Sequence, residues 1–198
     1  MRKIISGLLR LLFVSINFNK THRNANFAAM ISKPTSSFGW LDNYIGKVSD
    51  ESLIEGFKRQ THETLELISS LSEEKLNFRY AENKWNIKEL MIHLLDAERV
   101  FAFRALCFSR KDKTPLPGFE EDDYVKNCGA NERSIKSILE EYIVTRTATV
   151  ALFSNFNKEM LDFVGIANGK EMSARALGYA TLGHEIHHIS VIKEKYLI

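Results

Sequence analysis

The sequence predicts an all-α protein, a four-helix bundle with a long loop after the second helix and a small hairpin before the last one. Two observations favour this fold. Four segments of about twenty residues repeat apolar side chains at helical spacing, and such helices bury their apolar stripes against one another. Gly (10) and Pro (3) are scarce among the 198 residues, and no Pro follows Pro117, which disfavours a turn-rich β fold.

Composition and charge narrow the functional class. Hydrophobic residues make up 44% and charged residues 26%, as in ordinary globular domains. The net charge is +2, but from Asp42 onward 21 basic residues face 25 acidic ones, a net charge of −4. A mildly acidic body disfavours nucleic-acid binding. Two cysteines, Cys107 and Cys128, cannot build a disulfide framework, which fits the cytoplasm.

Residues 1–30 form an N-terminal extension that is treated separately from the domain at 31–198. The extension is basic and free of acidic residues, and its apolar run from Ile4 to Ile16 is interrupted by Arg10. The run is too short and too broken to span a membrane. A disordered tail, a targeting segment and a misread start, with translation from Met30, are the alternatives. We expect residues 1–29 to be dispensable.

The first two helices are predicted from periodicity and caps. The first follows Asp50. The second begins at Asn86, with Glu89 three residues later in a capping-box arrangement. Their apolar stripes comprise Leu53, Ile54, Phe57, Thr61, Leu65, Ile68 and Leu71 in the first helix, and Ile87, Leu90, Leu94, Phe101, Ala105 and Phe108 in the second.

The second half of the chain contains a loop, a helix, a hairpin and a last helix. Residues 110–131 hold the Pro115–Gly118 turn sequence and the acidic run 120–123, and are predicted to be a long, solvated loop. A loop of this length could also cover a site. The third helix carries apolar residues from Ile135 to Phe153. Asn168-Gly169 suits a tight turn of type I′, so a hairpin is predicted over 164–172. Ser173 then caps a fourth helix that ends near Tyr196.

The strongest functional signal is in the fourth helix, where 183–188 read Gly-His-Glu-Ile-His-His. His184 and His188 are one turn apart, so their imidazoles can bind one ion. Both lie near the middle of the apolar stripe, whereas His187 lies to its side. Two core histidines satisfied by hydrogen bonds are the alternative. The presence of two histidines on one helix face weakens this alternative, because each unpaired polar group in a core costs ~1–3 kcal/mol.

The same segment matches the H-E-x-x-H pattern of zinc peptidases, in which the glutamate, here Glu185, serves as general base. Those enzymes usually take a third ligand downstream, where Glu194 is the sole candidate among the ten remaining residues. We therefore predict that the third ligand comes from upstream. His93, at the edge of the apolar stripe of the second helix, is the best candidate.

Other polar residues interrupt apolar stripes or flank the histidines. Glu98 and Arg146 are charged residues at buried helix positions, and buried charges need partners. A structural ion pair between them is favoured over a substrate role. Asp96 is a candidate to orient a ligand imidazole, with a solvated helix face as the alternative.

These motifs, in this order, resemble the DinB-like superfamily of bacterial four-helix-bundle proteins, to which YfiT belongs. The resemblance runs from about Ile31 to the C-terminus. It is based on residues 84–90 (Lys-Trp-Asn-Ile-Lys-Glu-Leu), His93, 96–99, 114–119 (Thr-Pro-Leu-Pro-Gly-Phe) and 183–188. It implies an up-and-down bundle and a divalent metal ion, usually zinc or nickel. The matching ligand positions are His93, His184 and His188.

The resemblance leaves the reaction open. Some relatives use low-molecular-weight thiols such as bacillithiol, mycothiol or glutathione in S-transfer or isomerase reactions, and others are called metal-dependent hydrolases. Three protein ligands leave a coordination position open, as in catalytic zinc sites. The first hypothesis is a thiol-dependent S-transferase. The second is a hydrolase that uses metal-bound water and Glu185, and the third is a non-catalytic metal-binding stress-response protein. We expect a small-molecule substrate, a homodimer, no nucleic-acid partner and no membrane span.

Overall fold

The long helices predicted from the sequence form a four-helix bundle. The structure is a computed structural model that describes residues 31–49 and 52–197. The N-terminal extension and Asp50 therefore lie outside the described residues. In chain order the elements are a 3-10 turn at Gly39–Leu41, α1 (Asp42–Ile45), α2 (Leu53–Ser69), α3 (Glu73–Asn77), α4 (Ile87–Ser109), α5 (Glu121–Lys126), a 3-10 turn at Ala130–Glu132, α6 (Ile135–Ser154), α7 (Lys158–Asp162), β1 (Val164–Ala167), β2 (Lys170–Ser173) and α8 (Ala174–Val191), which continues as a π-helical turn over Ile192–Tyr196.

Polar side chains cap the first turn of each bundle helix. At α4 the predicted capping box is present: Asn86 accepts from the backbone N–H of Glu89, and the Glu89 side chain accepts from the backbone N–H of Asn86. Ser173 caps α8, as predicted. Ser52 and Ser134 do the same for α2 and α6. These bonds satisfy amide groups that a helix start leaves unpaired.

The helices are not arranged around the bundle in chain order. Both α2 and α4 pack between α6 and α8. Leu53, at the start of α2, meets Gly178 at the start of α8 and lies near Phe153 at the end of α6. Phe108, at the end of α4, lies in the same core cluster. Therefore α2 and α8 run in one direction and α4 and α6 run in the other.

These directions refine the up-and-down arrangement implied by the resemblance. The chain reverses between α2 and α4 and again between α6 and α8, but α4 and α6 are parallel. The segment between them, 110–134, must therefore return along the length of the bundle. It contains α5 and a 3-10 turn, and the acidic run predicted to be loop forms the start of α5. Acidic side chains there favour a helix because they face the positive end of its dipole.

The predicted hairpin precedes α8. Strands β1 and β2 pair antiparallel, with Val164 opposite Ser173 and Ala167 opposite Lys170. Asn168 and Gly169 form the turn at φ 51° and 68°, the left-handed values that a type I′ turn requires. The returning segment joins this hairpin: Leu116 donates its N–H to the carbonyl of Ile166, and its carbonyl accepts from the N–H of Asn168.

Polar side chains separate two apolar clusters in the bundle core. One cluster contains the start of α2 and the ends of α4 and α6, and the other contains the opposite ends of these helices. Buried polar residues from all four bundle helices lie between the clusters, namely Thr61, Thr64, Glu98, Arg146, Thr149, Thr181, His184 and Glu185. Among the described residues, no helix is long and apolar enough to cross a bilayer.

Candidate metal centre

Three histidines from two helices converge beside this polar layer. His93 on α4 and His184 on α8 have their Nε2 atoms 3.1 Å apart, and the Nε2 atom of His188 lies 3.0 Å from that of His184. His93 and His184 are buried, and His188 is partly buried. The structure thus brings together the three histidines that the sequence singles out, with one ring nitrogen of each directed at the others.

Close packing of α1 against α8 fixes the orientation of His184. The ring of Tyr44, on α1, meets the His184 ring edge-on with centroids 5.0 Å apart. Gly183 makes this approach feasible, since a Cβ atom at that position would lie 1.9 Å from the carbonyl oxygen of Tyr44. On the other side, Trp85 covers His93 at a centroid distance of 4.7 Å.

Burial keeps the three imidazoles neutral. It lowers the pKa of His93 from 6.5 to about 4 and that of His188 to about 3. The pKa of His184 is also well below its ordinary value, first because of burial and then because of the neighbouring histidines. Neutral imidazole is the form that binds metal ions.

The geometry of the three rings fits a divalent ion. A neutral imidazole carries one N–H, so the Nε2 proton of His184 cannot make a linear hydrogen bond to both neighbours at once. If Nε2 of His184 instead presents its single lone pair, that lone pair can accept from only one neighbour, so hydrogen bonds among the three rings cannot satisfy all three nitrogens. Zn–N bonds of about 2.0–2.1 Å in tetrahedral geometry place ligand nitrogens roughly 3.3 Å apart, close to the separations found here.

The three histidines line a small cavity. Its volume is about 180 Å³, and its other lining residues include Ala97, Arg104, Glu121 and Asn168. The remaining wall is aromatic: Trp40, Tyr44, Trp85, Phe101 and Phe119. The wall thus combines aromatic rings with polar groups that converge on one space, as small-molecule sites do.

His187 lines the cavity but does not join the cluster. Its side chain is partly buried, and the centre of its ring lies 5.1 Å from the centre of the His188 ring. Its ring also approaches Tyr44, at 5.9 Å. The group of residues that can share one ion contains His93, His184 and His188, without His187. This placement agrees with the flanking position expected from its angle on the helix.

Glu185 does not lie where a general base is needed. Its carboxylate is 1% exposed and accepts hydrogen bonds from Thr64 and Tyr142 through Oε1 and from Arg146 through Oε2, all at 2.6 Å. Glu185 is absent from the cavity wall. On a helix it points about 100° away from His184, into the bundle. The structure therefore does not support the role of general base predicted from the H-E-x-x-H pattern.

The predicted ion pair between Glu98 and Arg146 is present and has Glu185 as a further member. Arg146 donates from Nε and Nη2 to the two oxygens of Glu98, at 2.9 and 2.7 Å, while its guanidinium lies 4.6 Å from the centre of the Phe57 ring. One guanidinium thus faces two carboxylates. The hydroxyl donors on Glu185 supply the remaining hydrogen bonds, so the network is satisfied without a ligand.

Asp96 faces away from the histidines. Its carboxylate lies 3.6 Å from Nη1 of Arg99, one turn along α4, and it is half-buried at the surface of the helix. Burial raises the pKa of its carboxyl group. The solvated-face alternative describes this position better than orientation of a ligand imidazole.

Sequence reasoning missed most of the cavity wall. Trp85 and Phe119 lie within the segments that carry the family resemblance, but their spacing gives them no chemical role. Arg104 offered a stronger signal, since it falls within the apolar stripe of the second helix, as Glu98 does. Tyr44 belongs to α1, whose single turn is too short to show periodicity.

Comparisons with known proteins agree with this fold. The sequence profile of the DinB superfamily matches residues 57–192, more than half of the chain. The chain belongs to the DinB superfamily. A protein of Oceanobacillus iheyensis, provisionally named a metal-dependent hydrolase, is 31% identical over 156 residues, covering 74% of this chain and 87% of that protein.

A solved structure supports the same bundle. YfiT from Bacillus subtilis, described as a probable metal-dependent hydrolase with an unusual four-helix bundle topology, superposes with a TM-score of 0.62 at 16% identity. The match covers 82% of this chain and 90% of YfiT. At this identity the likeness concerns the fold alone.

Proposed function

We propose that this DinB protein is a metal-dependent enzyme of the thiol S-transferase type, with His93, His184 and His188 as the ligands of zinc or nickel. The observation that carries the proposal is the convergence of three neutral imidazole nitrogens, 3.0 and 3.1 Å apart, on the wall of a small-molecule cavity. An ion bound there is a Lewis acid that stabilises a negatively charged sulfur or oxygen atom.

The character of the cavity favours S-transfer. In such a reaction the thiol sulfur forms a bond to an electrophilic carbon, the leaving group departs with its bonding electrons, and the thiol proton is released to solvent. The aromatic side chains from Trp40 to Phe119 place apolar surface beside the reacting groups. Glu121 is the one carboxylate on the cavity wall within the described residues, and its side chain is exposed.

Hydrolysis with metal-bound water is the second candidate. The provisional name of the Oceanobacillus relative favours it. It would have to proceed without Glu185, whose carboxylate is committed to Arg146, Tyr142 and Thr64. A non-catalytic metal-binding protein is the third candidate, and cytoplasmic location and a homodimer remain predictions.

Metal binding is tested first, by thermal melting with added zinc or nickel. The melting temperature of the wild type should rise, because ligands that bind only the native state stabilise it. His93→Ala, His184→Ala and His188→Ala should abolish the rise, while His187→Ala should retain it. An equal loss at His187 would mean that the ligand set is wrong, and no response in the wild type would return these residues to a structural role.

The reaction class is tested with the metal-loaded protein. Glutathione and bacillithiol are offered with an electrophilic aryl halide, beside a parallel set of ester and amide substrates. Thiol consumption that His184→Ala abolishes supports the transferase. Ester or amide cleavage without thiol supports the hydrolase, and inactivity in both sets with retained metal favours the non-catalytic alternative.

A further inference from the structure

A second buried arginine lies on the wall of the histidine cavity. Arg104 on α4 is 3% exposed, and its Nη2 atom donates to the carbonyl oxygen of Pro117 at 2.8 Å. Within residues 31–49 and 52–197 it forms no ion pair and no other hydrogen bond. Glu121, whose side chain is exposed, lines the same cavity, but no ion pair joins it to Arg104.

Arg146 provides an internal comparison. It is 1% exposed, and it is held between the carboxylates of Glu98 and Glu185. A buried cation without an anion is costly, and proteins rarely retain one without a partner. The described part of Arg104's surroundings offers one carbonyl and two aromatic rings, those of Phe101 and Phe119, each 6.0 Å from the guanidinium carbon.

The free nitrogens of Arg104 open into the cavity. Every fully buried side-chain nitrogen or oxygen of the described residues has a partner. Because Nε and Nη1 of Arg104 have none, they must be reachable by solvent, and the residue as a whole borders the cavity. Nη2 carries a second N–H beside the one that binds Pro117, and this N–H shares an edge of the guanidinium with either Nε or Nη1. One edge with two N–H groups therefore remains, and it forms a fork that matches an oxyanion.

Phe101 lies between Arg104 and the histidines on the cavity wall. The centre of its ring is 6.0 Å from the guanidinium carbon of Arg104 and 6.3 Å from the centre of the His184 ring. A small molecule packed on Phe101 would therefore have Arg104 at one end and the histidines at the other.

We propose that Arg104 is a specificity-determining residue that binds an oxyanion, a carboxylate or phosphate, of the substrate while the reacting end of that substrate faces the three histidines. The inference rests on the proposed function, because it takes the histidine cavity to be the reaction site. The substrate class is then a small organic anion, with its apolar body between Phe101 and Phe119.

The test uses zinc-loaded protein and matched aromatic probes. Trp40 and Trp85, the two tryptophans of the chain, both line the cavity, so intrinsic fluorescence reports binding. Benzoate is compared with the neutral benzamide, and phenyl phosphate distinguishes a phosphate from a carboxylate preference. We expect benzoate or phenyl phosphate to bind more tightly than benzamide, and Arg104→Gln to raise the dissociation constant of the anion roughly 10-fold or more.

Arg110→Gln is the control, because it removes an exposed arginine at the end of the same helix. It should leave anion affinity unchanged. Unaltered anion binding by Arg104→Gln would overturn the proposal. If Arg104→Gln does not fold, Arg104→Lys takes its place in the same affinity measurement. In either case, equal affinity of the wild type for benzoate and benzamide would overturn the proposal.

A separate readout distinguishes failure of this proposal from failure of the proposed function. Zinc affinity, measured by competition with a chromogenic chelator, should be the same in Arg104→Gln and in the wild type. His184→Ala should lose zinc but keep the charge-dependent preference of Arg104 for benzoate over benzamide. If the wild type does not bind zinc, the metal centre is refuted. If the wild type binds zinc but does not prefer benzoate to benzamide, the role of Arg104 alone is refuted.

Discussion

Arg146 and Arg104 are both buried, and the acids within reach give them different roles. Two carboxylates hold Arg146, so it is a structural residue, whereas Arg104 faces the cavity with its charge uncompensated by the described residues. The same reasoning separates the adjacent residues His184 and Glu185. One points to the cavity, and the other is bound within the bundle.

The buried histidines should make the metal-free protein sensitive to acid. The pKa of His93 is about 4 in the folded state and 6.5 ordinarily, so between these values the unfolded chain binds a proton that the folded chain does not. Stability should therefore be full above pH 6.5 and fall as the pH drops toward 4. His93 alone accounts for a loss of about 3 kcal/mol, measurable by urea denaturation with a chelator present.

The control for this effect is His62→Ala, which removes an exposed histidine on α2. It should leave the dependence of stability on pH unchanged, whereas His93→Ala should weaken that dependence, with the contributions of His184 and His188 remaining. If the free energy of unfolding of the wild type stays constant from pH 7 to pH 4.5, the histidine cluster takes up protons without loss of stability, and the prediction is wrong.

Replacement of Glu185 distinguishes a structural from a catalytic role. Glu185→Gln removes one of the two negative charges on Arg146 and should lower the free energy of unfolding by about 3 kcal/mol, because a buried charge loses its partner. Zinc affinity should not change. Urea denaturation and chelator competition measure the two quantities. Unchanged stability together with lost activity would restore Glu185 as a candidate base.

At the scale of elements, the contact between α1 and α8 supports one wall of the metal centre. The contact depends on Gly183, since any side chain there would overlap the backbone of Tyr44. The ring of Tyr44 in turn covers His184. A glycine inside an apolar helix therefore has a packing function here, despite its low helix propensity.

Gly183→Ala tests this contact. In an unhindered helix the change would stabilise the protein by about 1 kcal/mol. Here we expect a loss of about 1–3 kcal/mol, because α1 must move to relieve the overlap. Denaturation in urea gives the sign directly, and a lower zinc affinity should accompany the loss. A more stable variant would mean that α1 is not held against α8.

At the scale of the whole molecule, the parallel direction of α4 and α6 shapes the cavity. The returning segment has to pass along the bundle, and it carries Pro117, Phe119 and Glu121 to the cavity wall or its edge. The hairpin before α8 contributes Asn168 beside it. A simple chain reversal between these helices would need no such segment and would leave this side of the histidines uncovered.

We predict that the domain needs Ile31 but none of the residues before it. Ile31 is 1% exposed, and its carbonyl oxygen accepts from the backbone N–H of Leu53 and from the hydroxyl of Tyr179. A chain that begins at Met30 should melt at the same temperature as the full chain and bind zinc equally well. A chain that begins at Lys33 should lose about 2 kcal/mol or more, since Ile31 alone buries that much apolar side chain. Equal melting of all three chains would place the boundary later.

The sequence by itself determined the four long helices, the caps at Asn86 and Ser173 and the metal-ligand candidates. The capping box at Asn86, the turn at Asn168-Gly169 and the one-turn spacing of His184 and His188 are local patterns, and local backbone geometry fixes what they form. Periodicity also predicted that four such helices would pack as a bundle. These features need no knowledge of distant parts of the chain.

Only the tertiary structure decided the order of the helices and the surroundings of each charge. The H-E-x-x-H pattern could not show that Glu185 is bound by Arg146, because the two residues are 39 positions apart and meet only through packing. The wall that α1 and the returning segment build around the histidines comes from short elements without periodicity. Charges and cavities depend on which side chains packing brings together, and that information is not local.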